Sequence, residues 1–179
     1  EQAAKRIANI RLRKTLYWGI LIAEYFWKYC KNERILYMKI CGFNKTTLLD
    51  YPGRVACTIF LGGCNFRCPF CQNGALVVEP YTQPGYSQDE ILSFLKKRKG
   101  ILDGVCVSGG EPTLAPDLSD FLGRIKELGY DVKLDTNGSH PSVVKSLAAD
   151  GLIDKVAMDI KACPSNYHVL TGVNADLDA

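Results

Sequence analysis

The sequence has no uninterrupted hydrophobic run long enough to cross a bilayer. Its most apolar stretch, residues 16–27, is short and contains Glu24, whereas a transmembrane helix needs about 20 consecutive apolar residues. Nothing resembles a cleavable signal peptide either, so the eight cysteines are not expected to form the disulfide framework of a small secreted protein. These absences predict a cytoplasmic protein, and no membrane partner is expected.

A strong charge of one sign is absent too. The formal net charge is +3, and residues 1–37 contain eight Lys or Arg against three Asp or Glu, which leaves 14 against 16 in residues 38–179. A nucleic-acid-binding domain normally presents a basic surface. The slightly acidic balance of residues 38–179 therefore argues against nucleic acid as a partner.

Composition divides the chain at about residue 38. The 179 residues, of which 47% are hydrophobic and 23% charged, suffice for one sizeable core. We expect this domain in residues 38–179, with residues 1–37 as a basic and aromatic N-terminal extension. Three alternatives remain open for the extension: a helix that binds a membrane surface or a partner, an extra helix packed on the domain, or a segment outside the functional unit.

Four apolar segments rich in β-branched residues alternate with amphipathic segments. We expect strands at residues 56–61, 104–108, 131–135 and 155–159, and helices at residues 88–99, 117–128 and 141–149. The first helix has the clearest signals, because Ser87 and Glu90 have the spacing of a capping box and Gly100 follows its basic end. The alternation predicts an α/β fold with a parallel sheet.

Each predicted strand ends in polar or glycine-rich residues. These ends are residues 62–64, 108–112, 135–138 and 159–161. The carboxyl ends of parallel strands share one edge of a sheet, where α/β proteins build their active sites. The sequence therefore predicts a single site formed by all four strand ends.

Three cysteines lie within eight residues after the first of these strands. Cys64, Cys68 and Cys71 have the spacing C-x3-C-x2-C, and three thiolates can bind three irons of a [4Fe-4S] cubane. Because the same loop contains no fourth cysteine, the remaining iron would be open to another ligand. An open iron predicts chemistry at the cluster rather than a purely structural role.

Other interpretations of the three cysteines remain open. A structural zinc ion usually has four protein ligands, and the fourth would have to be Cys41, Cys57, Cys106 or His140. A disulfide within so tight a loop is difficult to form, and the polar residues of the loop disfavour a chance cluster of core cysteines. The spacing favours an iron-sulfur cluster.

The cysteine spacing, with Phe70 just before the last cysteine, resembles that of the radical S-adenosylmethionine (radical SAM) enzymes. The resemblance implies a partial (β/α) barrel, a [4Fe-4S] cluster on Cys64, Cys68 and Cys71, and SAM on the open iron with its adenine beside Phe70. The family core has about six βα units. About four are present here, so we expect the barrel to be incomplete at its C-terminus.

The strand ends resemble binding positions of the same superfamily, although each also fits an ordinary turn or a solvated strand end. The resemblance implies that Gly109, Gly110 and Glu111 bind the methionyl ammonium of SAM. It implies further cofactor contacts by residues after the cysteines and at the next strand ends: Asn73, Asp135, Thr136, Asn137, Asp159 and Lys161. Two of these, Asp135 and Asp159, would also hold a monovalent cation, which prefers oxygen ligands.

A narrower resemblance lies in residues 42–53 and 60–71, which are similar to the activating proteins of anaerobic ribonucleoside-triphosphate reductase, relatives of pyruvate formate-lyase activating enzyme. The resemblance covers about residues 38–173. It implies reductive cleavage of SAM and formation of a glycyl radical on a partner enzyme, with an electron from a flavodoxin or ferredoxin. Gln72 departs from the family, which commonly has His there.

Two alternatives to this function remain open. One is a radical SAM enzyme that acts on a small molecule, such as the 7-carboxy-7-deazaguanine synthases, which combine similar segments. The other is a non-catalytic binding module stabilised by a metal. Asn73 and the segment Asp159-Ile160-Lys161 favour the activating enzyme.

Overall fold

The computed structural model describes residues 38–175. Within them, five strands form one open sheet, in the order β1 (Ile40–Thr47), β2 (Ala56–Leu61), β3 (Gly104–Gly109), β4 (Asp131–Thr136) and β5 (Lys155–Met158). Strands β2 to β5 are parallel, and β1 is antiparallel to β2. The predicted α/β fold with a partial barrel is confirmed. The predicted extension lies outside the described residues, and the domain boundary stays a prediction.

Three helices alternate with the strands. Of two further short helices, one follows the cysteine loop and the other lies near the end of the described residues. In chain order, these helices are α1 (Gly74–Val78), α2 (Gln88–Lys97), α3 (Leu118–Glu127), α4 (Pro141–Ala149) and α5 (Tyr167–Thr171). The predicted capping box begins α2, where the Ser87 hydroxyl accepts the Glu90 N–H at 3.1 Å and the Glu90 carboxylate accepts the Ser87 N–H at 2.7 Å. No helix within residues 38–175 is long and apolar enough to cross a membrane.

The hydrophobic core lies between one face of the sheet and the helices. Alternate residues of a strand point to the same face, and in β2, β3 and β4 this spacing buries Cys57, Ile59, Val105, Val107, Val132 and Leu134. The helices contribute residues at helical spacing: Ile91, Leu95, Phe121, Leu122 and Ile125. This packing fixes the strands, and with them the positions of their carboxyl ends.

The opposite face of the sheet also buries polar side chains. The strand register aligns Thr58 with Cys106 and Cys106 with Lys133, and all three are at most 7% exposed. The loop between β1 and β2 covers the start of β3, because the Tyr51 ring lies only 2.9 Å from where a Cβ of Gly104 would be. A buried lysine on this face needs a partner, and its partner belongs to the site described next.

Candidate functional site

A cavity of about 300 Å³ lies at the carboxyl ends of the parallel strands. It is lined by every predicted site residue except Glu111: Cys64, Cys68, Phe70, Cys71, Asn73, Gly109, Gly110, Asp135, Thr136, Asn137, Asp159 and Lys161. Four further residues line it, namely Phe66, Gln72, Val77 and Ser108. The fold thus brings the cysteine loop and the four strand ends together, as expected for a parallel sheet.

The cysteine loop runs from the end of β2 to the start of α1. Two backbone hydrogen bonds fix the start of the loop. The N–H of Gly62 donates to the carbonyl of Lys39 at 2.8 Å, and the N–H of Gly63 donates to the carbonyl of Leu76 at 2.8 Å. Within the loop, the Arg67 guanidinium donates to the carbonyl of Cys64 at 2.5 Å and to that of Phe66 at 2.7 Å. These contacts order the chain between the first two cysteines.

The three thiols of the loop are free. In residues 38–175, no group of three or more His, Cys, Asp or Glu side chains converges so closely that it could hold a single metal ion. A cubane binds each thiolate through a different iron, so its ligands surround a cluster and need not converge on one point. The donor set of three free cysteines around one cavity fits a cubane.

The residues considered as a fourth zinc ligand lie away from the cavity. Cys57 and Cys106 are fully buried within the sheet, and Cys41 is 7% exposed with its thiol 3.4 Å from the Pro80 carbonyl. His140 contacts the hydroxyls of Thr113 and Ser139. None of the four candidates lines the cavity with the three loop cysteines.

The surroundings of the loop cysteines act on their ionisation in opposing directions. Burial raises the pKa of the Cys64 thiol, while the Phe66 N–H, which donates to the sulfur at 3.3 Å, lowers it. Burial also raises the pKa of Cys68, and the Lys161 ammonium opposes that effect. Cys64 and Cys68 are therefore held towards the neutral thiol, and the Phe66 N–H and the Lys161 ammonium favour their thiolate forms.

The two glycines at the end of β3 make close backbone contacts with the end of β2. Gly109 has φ +122°, and a Cβ on it would lie 2.3 Å from the backbone N and O of Leu61. A Cβ on Gly110 would lie 1.8 Å from the carbonyl oxygen of Gly63. The sequence alone suggests that these glycines let the backbone approach a ligand; in the structure they also let two strand ends approach each other.

Glu111 lies beneath the cavity, with 1% of its surface exposed. One oxygen of its carboxylate accepts from the N–H and hydroxyl of Thr113 at 3.1 and 2.5 Å and from the Thr136 hydroxyl at 2.8 Å, and the other accepts from the Asn137 N–H at 2.6 Å. The side-chain amide nitrogen of Asn137 lies 3.8 Å from the Cys64 sulfur. The Glu111 side chain therefore connects the ends of β3 and β4, and its role towards a cofactor stays a prediction.

Asp135, one of the two predicted cation ligands, is paired with a buried lysine. The ammonium of Lys133, which is 7% exposed, contacts the Asp135 carboxylate, and the Cys106 thiol lies 3.3 Å from the other carboxylate oxygen. Burial alone would lower the pKa of Lys133, but the hydrogen bonds and charge attraction of Asp135 and Cys106 together outweigh burial, and the pKa is raised. Lys133 is therefore held in its charged form.

Asp159, the other predicted cation ligand, also has a lysine partner. Its carboxylate lies 2.7 Å from the Lys161 ammonium, and the side chain of Asp159 is 75% exposed. The sequence predicts Lys161 at this site but gives no sign of Lys133. That residue precedes the end of β4 by three positions and contacts Asp135 because alternate residues of a strand share one face.

The residues on either side of Cys71 in the sequence also line the cavity. Phe70 is 53% exposed, so one side of its ring is open to a ligand. The Asn73 amide donates to the Gly109 carbonyl at 3.1 Å and thereby ties the start of α1 to the end of β3. Gln72, where the resembling family has His, lines the same cavity.

Comparison with known proteins agrees with this geometry. The family model described as the radical SAM superfamily matches residues 58–179. Two proteins of Methanocaldococcus jannaschii, each provisionally named a glycyl-radical enzyme activating enzyme, are similar to the chain. One is 40% identical over 132 residues, which are 72% of this chain and 52% of that protein. The other is 34% identical over 140 residues, which are 77% and 48%.

Two further proteins show a lower similarity to the chain. The 7-carboxy-7-deazaguanine synthase of Thermococcus kodakarensis is 27% identical over 128 residues, which cover 61% of this chain and 50% of that protein. Among solved structures, QueE from Escherichia coli has a TM-score of 0.47 and 20% identity, with 57% of this chain and 54% of that chain covered. The chain spans about half the length of the curated relatives it matches. Because the family model covers more than half of the chain and includes all three loop cysteines, the chain belongs to the radical SAM superfamily of enzymes.

Proposed function

We propose that this protein is an activating enzyme that cleaves SAM reductively and generates a glycyl radical on a partner enzyme such as anaerobic ribonucleoside-triphosphate reductase. The observation that carries the proposal is the single cavity that combines Cys64, Cys68 and Cys71 with the polar ends of the parallel strands. The names of the two Methanocaldococcus jannaschii relatives support the choice of this function within the superfamily.

The three loop cysteines would hold a [4Fe-4S] cluster, since their free thiols surround the cavity. When bound, the reduced cluster supplies the electron that cleaves SAM and so provides a carbon radical able to abstract a hydrogen atom. The work of the protein is to bind, orient and enclose these groups. The contacts of the Phe66 N–H and the Arg67 guanidinium around Cys64 would help to fix the first ligand.

The remaining residues of the cavity would bind and orient SAM. The exposed ring of Phe70 would contact the adenine, and the backbone at Gly109, Gly110 and Glu111 would receive the methionyl ammonium. The polar side chains at the cavity would make the other contacts: Asn73, Asp135, Thr136, Asn137, Asp159 and Lys161. A monovalent cation at Asp135 and Asp159 would have to share these carboxylates with their lysine partners.

A protein partner is compatible with the exposed apolar residues at the end of β5 beside the cavity. Met158 is 58% exposed and Ile160 is 73% exposed, and both adjoin the cavity-lining Asp159 in the sequence. Exposed apolar residues beside a site are typical of surfaces that bind other proteins. A glycine-containing loop of the partner would approach the cavity here. A flavodoxin or ferredoxin would supply the electron. The proposed compartment is the cytoplasm.

A second candidate is a radical SAM reaction on a small molecule. The similarity to the 7-carboxy-7-deazaguanine synthase of Thermococcus kodakarensis favours it, although at 27% identity this relative is more distant than the two activating enzymes. The two candidates share the cluster and SAM, so only the substrate distinguishes them.

The decisive experiment mixes the anaerobically reconstituted protein with SAM, a reductant and a glycyl radical enzyme. We expect 5′-deoxyadenosine and the doublet spectrum of a glycyl radical to appear together, and Cys68→Ala to produce neither. Cleavage of SAM without a glycyl radical, together with conversion of a heterocyclic small molecule, would establish the second candidate instead.

A further inference from the structure

Helix α5 contacts the cysteine loop between its first two cysteines. The Arg67 N–H donates to the carbonyl of Thr171 at 2.7 Å. The rings of Phe66 and Tyr167 meet edge to face, with centroids 6.2 Å apart. Phe66 is 4% exposed and lines the cavity, whereas no residue of α5 does, so α5 contacts the loop without taking part in the lining of the cavity.

The end of α5 fits closely against the loop backbone. Gly172 ends the helix with φ +69°, and a Cβ on it would lie 2.4 Å from the carbonyl oxygen of Arg67 and 3.0 Å from its carbonyl carbon. Both atoms belong to the backbone, so no side-chain rotation could relieve the contact. A methyl group at residue 172 would therefore displace either the loop or the helix.

The helix end itself is ordered by Thr171, which is fully buried. Its hydroxyl lies 2.7 Å from the carbonyl oxygen of Tyr167 and 3.0 Å from that of Val173, and its one proton can be donated to either of them. The two acceptors are the first residue of α5 and the second residue beyond its end, so the short helix is stabilised by its own side chain as well as by the loop. The hydroxyl thereby holds Gly172 in register with Arg67.

We propose that α5 and Gly172 position the cysteine loop, so that Tyr167, Thr171 and Gly172 are positioning residues for the iron-sulfur cluster. This inference rests on the proposed cluster but not on the choice of substrate. Residues behind metal ligands orient them and typically change metal affinity by about 10–100-fold when they are altered. A displaced carbonyl at Arg67 would shift the chain that leads from Cys64 to Cys68, and with it two of the three ligands.

The chain offers a matched control for Gly172. Gly151 lies two residues beyond the end of α4 and has φ +68°, close to the φ of Gly172, but nothing lies within 4 Å of a Cβ built on it. Alanine at either position imposes similar backbone strain. Only Gly172→Ala also places a methyl group against the loop.

The test compares Gly172→Ala and Gly151→Ala after anaerobic reconstitution of the cluster. We expect a lower melting temperature in both variants, but roughly 10-fold faster release of iron to a chelator only in Gly172→Ala. The electron paramagnetic resonance spectrum of its reduced cluster should also differ from that of the wild type. Equal iron release and identical spectra in both variants would overturn the proposal.

Two further variants separate contact from strain and from misfolding. Asparagine tolerates a left-handed backbone better than alanine but has the same Cβ. Gly172→Asn should therefore release iron as fast as Gly172→Ala. If Gly172→Asn releases iron at the wild-type rate, the contact between residue 172 and the loop has no role. If the Gly172 variants do not fold, Tyr167→Ala removes the ring contact without altering the backbone, and a wild-type spectrum there would overturn the proposal. A wild type that binds no cluster would instead contradict the proposed function.

Discussion

The carbonyl oxygen of Gly63 occupies the space in which a side chain of Gly110 would begin, since a Cβ there would lie 1.8 Å from it. The next residue, Glu111, donates its N–H to the same oxygen at 2.8 Å. The ends of β2 and β3 are therefore joined at the residue that precedes Cys64. Glycine at residue 110 serves the cysteine loop directly, and any contact that it makes with SAM comes in addition.

Gly110→Ala is expected to disturb the cluster before SAM binds. The methyl group would lie against the Gly63 carbonyl and 3.3 Å from the Cys64 Cβ, so the backbone next to the first ligand must move. Iron and sulfide analysis after reconstitution should show a loss of cluster relative to Gly74→Ala, because nothing lies within 4 Å of a Cβ on Gly74. A variant with full iron content but weakened SAM binding would show instead that the glycine mainly admits the cofactor.

Much of the fold could be predicted because its signals are local. The capping box of Ser87 and Glu90 marks the start of α2 to the residue, and the β-branched runs mark β2 to β5. Strand β1 was not predicted, because its buried residues do not alternate regularly and it includes Gly42 and Asn44. Helices α1 and α5 have only five residues each, which is too short for a helical period to appear.

Some features of the candidate site could likewise be predicted from the sequence, and others could not. Residues at the strand ends could be predicted, because a parallel sheet brings its carboxyl ends to one edge. The role of Lys133 could not, because it depends on the burial of that face of the sheet. The contact between Gly63 and Gly110 could not either, because it depends on how closely the fold brings the ends of β2 and β3 together. The contact of Gly172 with Arg67 joins positions more than 100 residues apart, and no local pattern indicates it.

The cluster is expected to require the three loop cysteines and no others among the described residues. Replacing Cys64, Cys68 or Cys71 by Ala leaves one iron without its thiolate, so each variant should lose its iron-sulfur absorbance and most of its iron and sulfide. Cys163→Ala is the control, because Cys163 is exposed and its thiol lies 3.3 Å from the Ser165 hydroxyl within its own turn, away from the cavity. Stoichiometric zinc without sulfide in protein purified without air would contradict the cluster.

Glu111→Gln should lower the free energy of unfolding by about 1–3 kcal/mol, the usual cost of unsatisfied buried polar groups. The Glu111 carboxylate accepts hydrogen bonds from four donors. A glutamine amide replaces one carboxylate oxygen with an NH2 group, which is itself a donor and cannot accept the bonds that this oxygen accepted. Because Asn137 would lose a fixed partner beside Cys64, SAM affinity should fall as well. Urea unfolding and SAM titration can be compared with Glu127→Gln, which changes an exposed carboxylate. An unfolding free energy equal to that of the control would show that the carboxylate bonds add no stability.

Lys133→Met is expected to make the protein more responsive to potassium. The Lys133 ammonium contacts the Asp135 carboxylate, which lines the cavity and is a predicted ligand of a monovalent cation. An inorganic cation at Asp135 must compete with this ammonium. Methionine removes the competing charge and keeps an unbranched apolar side chain of similar length, which leaves the Asp135 carboxylate without its charged partner but with the Cys106 thiol.

In a buffer in which choline is the only cation, Lys133→Met should lose about 1–3 kcal/mol of unfolding free energy, because a partly buried carboxylate has lost its charged donor. Potassium should restore part of that loss and should raise SAM affinity more in the variant than in the wild type. Lys97→Met, which removes an exposed charge from the end of α2, should respond to potassium as the wild type does. If all three proteins respond equally, the lysine and the inorganic cation do not share Asp135, and the cation must bind elsewhere at the cavity or not at all.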